Sequence, residues 1–403
     1  MKRIPIAISL AAFFACFSTA SYAIDLDDNG SLTLTGFYNL TGAKVLSGDS
    51  PVASNPWTFV QPFAANSTAT WKCPCTIQNW EYVAVYEQSK GWQFNQETLG
   101  GVQLKKEFTP TLSATAQVVV RAHNPNEQSR PTLDWAYLTW SPQENSPWTF
   151  QAGKFRIPLY YYSDYLYIGY AYQWVRPAPD VYGWPIYSYE GVNASYRTQL
   201  GKSDWSLNSQ VWYGNYTQHN DAYDSQLYYG APPANESWKN IWGGFAQVTN
   251  NIVDVRAMLM TYHDDTWQDL PGGRVTLTGT DSQFTRIGGL AVNLDYKNVV
   301  VRSEFDRYEQ VDLPLGVNNV YKYMLVGLGY NFGDITPMYT FSRYRTIAEP
   351  IEGRNTQNIS VRWDFRKNMA LKLQYDVSRD ASHYSTPFFG DSKLLSISLQ
   401  GVF

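Results

Sequence analysis

Cysteine is nearly missing from this chain: three residues in 403, Cys16, Cys73 and Cys75. That excludes a small scaffold built on several disulfides. Charge is thin as well, with Asp, Glu, Lys and Arg together at 16% and a net charge of -4. No basic field exists that would attract nucleic acid. Histidine is limited to His123, His219, His263 and His383. Beyond residue 23 no apolar run approaches the roughly 20 residues that a membrane helix needs, and the mean hydropathy is -0.36. A helical membrane protein is therefore excluded.

What is present begins with an export signal. Lys2 and Arg3 precede an apolar run from Ile4 to Phe17, and Ser21-Tyr22-Ala23 supplies small residues for cleavage. This is the pattern of a removed secretory peptide, so residues 1–23 are read as signal and 24–403 as one exported domain. Aromatic residues make 16% of the chain, 31 of them tyrosine. Tyr and Trp are amphipathic rings that favour boundaries between apolar and wet surroundings.

Periodicity carries the fold. In ISVRWDFR, Ile359, Val361, Trp363 and Phe365 alternate with Ser360, Arg362, Asp364 and Arg366; in LKLQYDVS, Leu371, Leu373, Tyr375 and Val377 alternate with Lys372, Gln374, Asp376 and Ser378. Lys367-Asn368 joins the two segments as a tight antiparallel hairpin with one apolar and one polar face. The same pattern predicts strands over residues 32–40, 98–108, 111–121, 132–140, 147–155, 187–197, 204–214, 240–249, 251–262, 283–296, 298–308, 320–331, 334–345, 356–366, 369–378 and 392–403. The segment 77–87 also alternates, but its place between the first two strands assigns it to a loop. Long connections (41–97, 122–131, 156–186, 215–239, 263–282, 309–319, 346–355, 379–391) alternate with short ones throughout. That asymmetry belongs to a barrel threaded into an outer membrane.

A soluble sandwich would leave the mid-strand charges Arg256, Arg302, Glu304, Arg362, Asp364, Lys372 and Asp376 in a dry core. A closed barrel turns them toward a wet lumen and its apolar face toward lipid. The reading is thus an all-β, transmembrane antiparallel barrel of about sixteen strands, a size whose interior side chains alone cannot fill.

The final strand, SKLLSISLQGVF, ends on Phe403. With the signal peptide, the strand count and the alternating loop lengths, this resembles the Gram-negative outer-membrane porins, and RIPLYYYSDY, GYAYQWVRP and Cys73-Pro74-Cys75 look like a porin-like group apart from the general porins. The resemblance implies a passive channel for small hydrophilic solutes and ions, without cofactor. It implies a homotrimer set in outer-membrane lipid and lipopolysaccharide, and a terminal Phe403 read by the barrel assembly machinery. It also implies that the third extracellular loop, 156–186, folds inward as the constriction. Arg156, Tyr160, Tyr161, Tyr162, Asp164, Tyr165, Arg176 and Asp180 are then its filter residues. The facing wall draws on Lys105, Arg121, Asp134, Asp254, Arg256, Arg302, Glu304, Arg362, Asp364, Lys372 and Asp376. Solvated lumen charge would look the same, so ion preference stays open.

Other readings are carried alongside. The aromatic loop could serve a substrate-specific channel for sugars, phosphate, or organic or aromatic acids. A barrel hydrolase would need histidine beside an acid or serine; His263-Asp264-Asp265 is the most suggestive cluster, and a solvated acidic loop looks identical, so the chain is read as a non-enzyme. An energy-coupled transporter needs a plug domain ahead of the barrel, for which residues 24–31 leave no room. Cys73 and Cys75 are read as a small disulfide in an oxidising compartment, with free or metal-bound thiols as the alternatives and no metal site assigned.

Overall fold

The computed structural model describes residues 23–49, 74–79, 81–82, 84–122, 131–183, 187–221, 234–276, 282–311, 318–349, 351–383 and 390–403. The signal segment, Cys73 and His123 lie outside them. Sixteen strands form one ring: Leu32–Gly48, Leu99–Thr109, Leu112–Arg121, Thr132–Trp140, Trp148–Arg156, Ser188–Gln199, Ser206–Asp221, Ala234–Thr249, Val253–Leu270, Gln283–Tyr296, Val299–Gln310, Asn319–Tyr330, Ile335–Thr346, Gly353–Arg366, Met369–Asp380 and Ser392–Val402. Each pairs antiparallel with its chain neighbours, and the first also pairs with the last, Tyr38 opposite Gly401. Closure leaves no free edge, which a sheet inside a bilayer requires. Two short strands, Ile24–Asp25 and Gly273–Thr276, add to the ends of the ring.

The pleat sorts the side chains. Along Val253–Leu270, Met258, Met260 and Tyr262 point inward and are buried, whereas Leu259 between them is 73% exposed on the outside. Val102, Leu104, Leu138, Val211, Leu290, Phe305, Leu328 and Leu373 continue that exposed apolar band around the ring. Phe108, Trp140, Trp148, Tyr296, Tyr330 and Trp363 stand near the short turns with their rings exposed, as in an aromatic girdle at a membrane boundary. So large an uncovered apolar surface suits lipid and not water.

Several strands outrun their predicted limits on the long-loop side. Ala234–Thr249 carries a bulge between Lys239 and Trp242, and its partner Ser206–Asp221 carries one between Gln218 and Asp221. Each bulge shifts the alternation by one residue, which hides the outer part of the strand from a period-two reading. A bulge between Val45 and Ser47 does the same for Leu32–Gly48.

At the seam, Gly36 and Phe403 exchange two backbone hydrogen bonds of 2.9 Å. A Cβ on Gly36 would stand 2.2 Å from Phe403 Cζ, so only glycine leaves room for the terminal ring there.

Candidate pore constriction

The third loop leaves the strand that ends at Arg156 and returns at Ser188. Proline at 158, 177 and 179 limits its backbone, and two 3-10 turns, Ser163–Tyr165 and Gly169–Ala171, give it local order. The loop lies inside the barrel. Its Ile157, Leu159, Tyr160, Tyr162, Tyr172, Trp174, Val181 and Tyr182 form one buried cluster with the inward side chains Trp212, Trp238, Met258, Met260, Tyr262, Ile287, Tyr308, Tyr323 and Leu325 of the wall. Tyrosine fits this place because its ring fills volume while its hydroxyl finds a partner.

The first long loop enters the lumen too. Residues Cys75–Asn79 and Ala84–Glu87 form a separate hairpin, which packs Tyr86 against Ala43, Val45 and Leu394 of the wall. The predicted loop assignment of 77–87 holds as regards the barrel, while its inward course is new. Tyr82 and Tyr167 bring the two loops together at 6.2 Å between ring centroids. Cys75 is disulfide-bonded.

Three sets of polar contacts fasten the third loop. At its start, Arg156 holds Glu81 of the first loop through Nη1 to Oε1 at 2.9 Å and Nη2 to Oε2 at 2.7 Å, and reaches Asp134 at 3.1 Å. The Tyr167 hydroxyl donates to the same Glu81, and Arg121 donates to that hydroxyl at 3.0 Å. In its middle, Glu304 accepts the Tyr161 backbone N–H at 2.7 Å and the Tyr182 hydroxyl, while Arg256 donates to the Pro158 carbonyl at 3.1 Å. Across the lumen, Lys372 donates to the carbonyls of Gly169 at 2.7 Å, Trp174 at 2.8 Å and Tyr172. Beside it Arg362 donates to the carbonyls of Tyr170 at 2.7 Å and Tyr172 at 2.9 Å. Arg176 is paired with Glu97 and Asp376, and Asp180 with Arg354 and Ser342.

The predicted site residues therefore take settings other than the expected one. Arg156, Arg176 and Asp180 were read as charges facing a passage; all three are buried and paired. Arg121, Asp134, Arg256, Glu304, Arg362 and Lys372 were read as water-facing wall and lie buried under the two loops, because uncapped loop carbonyls and amides in a narrow lumen need partners. Asp364 binds Arg362 at 2.7 Å. Lys105 pairs with Glu107, and Arg302, near enough to Tyr161 and Tyr162 of the loop for its charge to act on them, pairs with Asp295. Asp164 alone among the loop's predicted charges keeps an accessible side chain, 42% exposed, with Arg256 at 3.8 Å. The dense protein around it in the lumen raises its carboxyl pKa above the usual value even though the side chain itself reaches open space, against the pull of Arg256 and Arg156. Tyr161 beside it is partly buried, its hydroxyl pushed up to about 12 by burial and Asp254.

Glu81 and Glu97 were not anticipated. Glu81 stands in the sequence as an acid between Trp80 and Tyr82, whereas Glu97 sits in the polar run Asn95-Gln96-Glu97-Thr98 and reads as loop solvation. Two cavities beside the fastening are small: the one lined by Asn39, Gln78, Tyr82 and Tyr172, and the one lined by Glu81, Arg156, Leu159 and Gly183, each hold about 30 Å³. That is room for one or two waters.

No family model and no curated protein matches the sequence. Solved structures do match along nearly the whole chain. Outer-membrane expressed OmpT of Vibrio cholerae is 9% identical, with a TM-score of 0.55, covering 95% of this chain and 100% of that one. An anion-selective porin from Comamonas acidovorans is 10% identical with a TM-score of 0.55, over 93% and 99%. Salmonella typhi OmpF, in complex with daunomycin, is 13% identical with a TM-score of 0.55, over 94% and 100%. The chain has the porin fold. A porin-type barrel of sixteen strands has a lumen that its wall cannot fill, and here two inward loops occupy it.

In the His263-Asp264-Asp265 cluster of this porin-type barrel the histidine is not paired with either acid. The pleat sends His263 outward onto the Phe284 ring and Asp264 inward to a buried position, while Asp265 pairs with Lys239. His219 contacts Asn235 at 3.1 Å and His383 contacts Glu349 at 3.2 Å. Among the described residues no three His, Cys, Asp or Glu side chains gather as a metal site.

Proposed function

We propose that this chain is an outer-membrane channel that passes small hydrophilic solutes and ions passively through a lumen narrowed by its third loop. One observation carries the reading: a loop rich in aromatic rings crosses the lumen and is tied to well-separated parts of the wall, at Arg156, at Glu304, and at Arg362 and Lys372. A soluble barrel has no use for the outward apolar band, and a hydrolase does not need a loop tied across its lumen. Asp164, with Tyr161, Tyr165 and Arg256 around it, is the loop charge placed to meet passing ions. Export to the outer membrane, assembly through Phe403 and a homotrimeric state complete the proposal.

The same crossing loop, tied to the wall at Glu304 and at Lys372, supports a narrow channel over a wide general one. Planar-bilayer recording of the refolded protein separates the possibilities. Small, discrete conductance steps support a narrow channel, and saturable block by a sugar, phosphate or an organic acid identifies a specific one. Folded, heat-modifiable protein that passes no current overturns the channel reading.

A further inference from the structure

On the inner wall, between the third loop and the long-loop mouth, acids collect beside aromatic rings. Trp238, Tyr262 and Tyr308 come from three strands and are buried in one cluster. The Trp238 and Tyr262 rings stack with centroids 3.9 Å apart, and the Tyr262 hydroxyl donates to that of Tyr308 at 2.9 Å. Asp264 stands directly opposite Trp238, and Glu236 opposite Thr266, one inward position nearer the mouth. The Trp238 indole donates to Glu236 at 3.0 Å, so both carboxylates border the same pair of rings. Tyr216, opposite Trp238, and Tyr321, 5.2 Å from Tyr308 between centroids, flank the cluster and are only partly buried.

The cations of the surrounding strands point elsewhere. Beyond the level of Met258, Lys239, Arg286, Arg307 and Lys322 all occupy outward positions. Lys154 lies over the Tyr216 ring at 5.4 Å and, among the described residues, forms no ion pair. Asp264 is 4% exposed, and its Oδ1 has no hydrogen-bond partner. Asp306, the inward neighbour of Tyr308 on the side of the third loop, is 5% exposed with Oδ2 equally unpartnered. A buried carboxylate oxygen left without a donor is costly, so this wall is complementary to a positive charge that carries N–H groups. A hard metal ion asks for about six oxygen ligands, and among the described residues no three acidic or histidine side chains gather as a metal site. Rings beside the carboxylates favour an organic cation instead, whose charge is drawn to a π face and whose body packs on tryptophan and tyrosine.

We infer that the lumen wall around Glu236, Asp264, Trp238, Tyr262 and Tyr308 is a binding site for organic cations, molecules that carry a primary ammonium or guanidinium on a small apolar or aromatic body. The site names a solute class for the channel and rests on that reading for its role. Asp264 supplies the unpaired carboxylate, Glu236 adds a second negative charge within reach of the same ligand, and the rings hold the ligand's body. Asp306 offers a further carboxylate on the way to the third loop.

The test titrates benzylammonium, with benzyl alcohol as its neutral analogue and Mg²⁺ as a hard cation, into refolded full-length protein in detergent, with binding followed by calorimetry. Wild type binds benzylammonium saturably and benzyl alcohol at least about tenfold more weakly, the least that one hydrogen bond to a charged group supplies. Asp264→Asn weakens benzylammonium binding by about the same factor, while its heat-modifiable migration shows a folded barrel. If Asp264→Asn does not fold, Glu236→Gln carries the same expectation. Equal binding of the charged and neutral probes, displacement of benzylammonium by an equal concentration of Mg²⁺, or an unchanged affinity in the folded variant overturns the inference. Conductance is recorded on the same samples. A conducting protein that does not prefer benzylammonium refutes only the site, whereas a silent protein that does prefer it refutes only the channel.

Discussion

Arg156 and Glu81 form a two-point ion pair between the third loop's root and the first loop, with side chains only 3% and 6% exposed. The pair joins two segments that are 75 residues apart in sequence, so each loop's position depends on the other. Removing one member of such a pair leaves a buried charge and costs about 3–5 kcal/mol. Arg156→Gln is therefore expected to lower the temperature at which the folded band converts to the unfolded one on electrophoresis. The double variant Glu81→Gln, Arg156→Gln recovers part of that loss. If the double variant is as unstable as the sum of the two single ones, the two residues are not coupled.

Lys372 provides a separate handle on the far side of the lumen. Its ammonium caps three loop carbonyls, those of Gly169, Tyr172 and Trp174, and each carbonyl left without a partner costs about 1–3 kcal/mol. In Lys372→Met the loop should detach from that wall, giving larger and noisier single-channel currents with the barrel still folded. A current trace identical to wild type removes Lys372 as an anchor.

Asp164 sets the expected pH dependence. The dense protein around it raises its pKa, so it takes up a proton at a higher pH than an ordinary aspartate. As pH falls toward the usual carboxylate range, the loop loses that negative charge first. The ratio of cation to anion permeability, read from reversal potentials under a salt gradient, should fall in that window. Asp164→Asn should show the low-pH ratio already at neutral pH, with no step; a step of unchanged size assigns the titration elsewhere.

Gly36 and Phe403 predict an assembly defect. Gly36→Leu places side-chain atoms where the Phe403 ring lies, forcing the terminal residue out of the seam. The folded, heat-modifiable fraction on refolding should drop several-fold, with little change in the conductance of the molecules that do fold. A normal yield indicates that the ring can move without loss.

The barrel itself was legible because lipid on one side and a polar lumen on the other impose period two on every strand, as ISVRWDFR and LKLQYDVS show. Legibility failed where a bulge reset the period, as between Lys239 and Trp242. It failed again where a side chain's partner lies far away in sequence. Lys372 and Gly169 are 203 residues apart, and nothing local in LKLQYDVS separates a loop anchor from a solvated pore charge. The inward hairpin around Ile77 and Tyr86 was visible as alternation. Only its burial against Ala43 and Leu394 reveals which side of the wall it occupies.

The central claim is that the third loop sets the width of the passage. Its most direct test is the single-channel conductance of a variant lacking residues 160–172, compared with wild type in the same salt and with folding verified by heat-modifiable migration. A conductance several-fold above wild type is the predicted result. An unchanged conductance from the folded variant contradicts the account and places the constriction elsewhere.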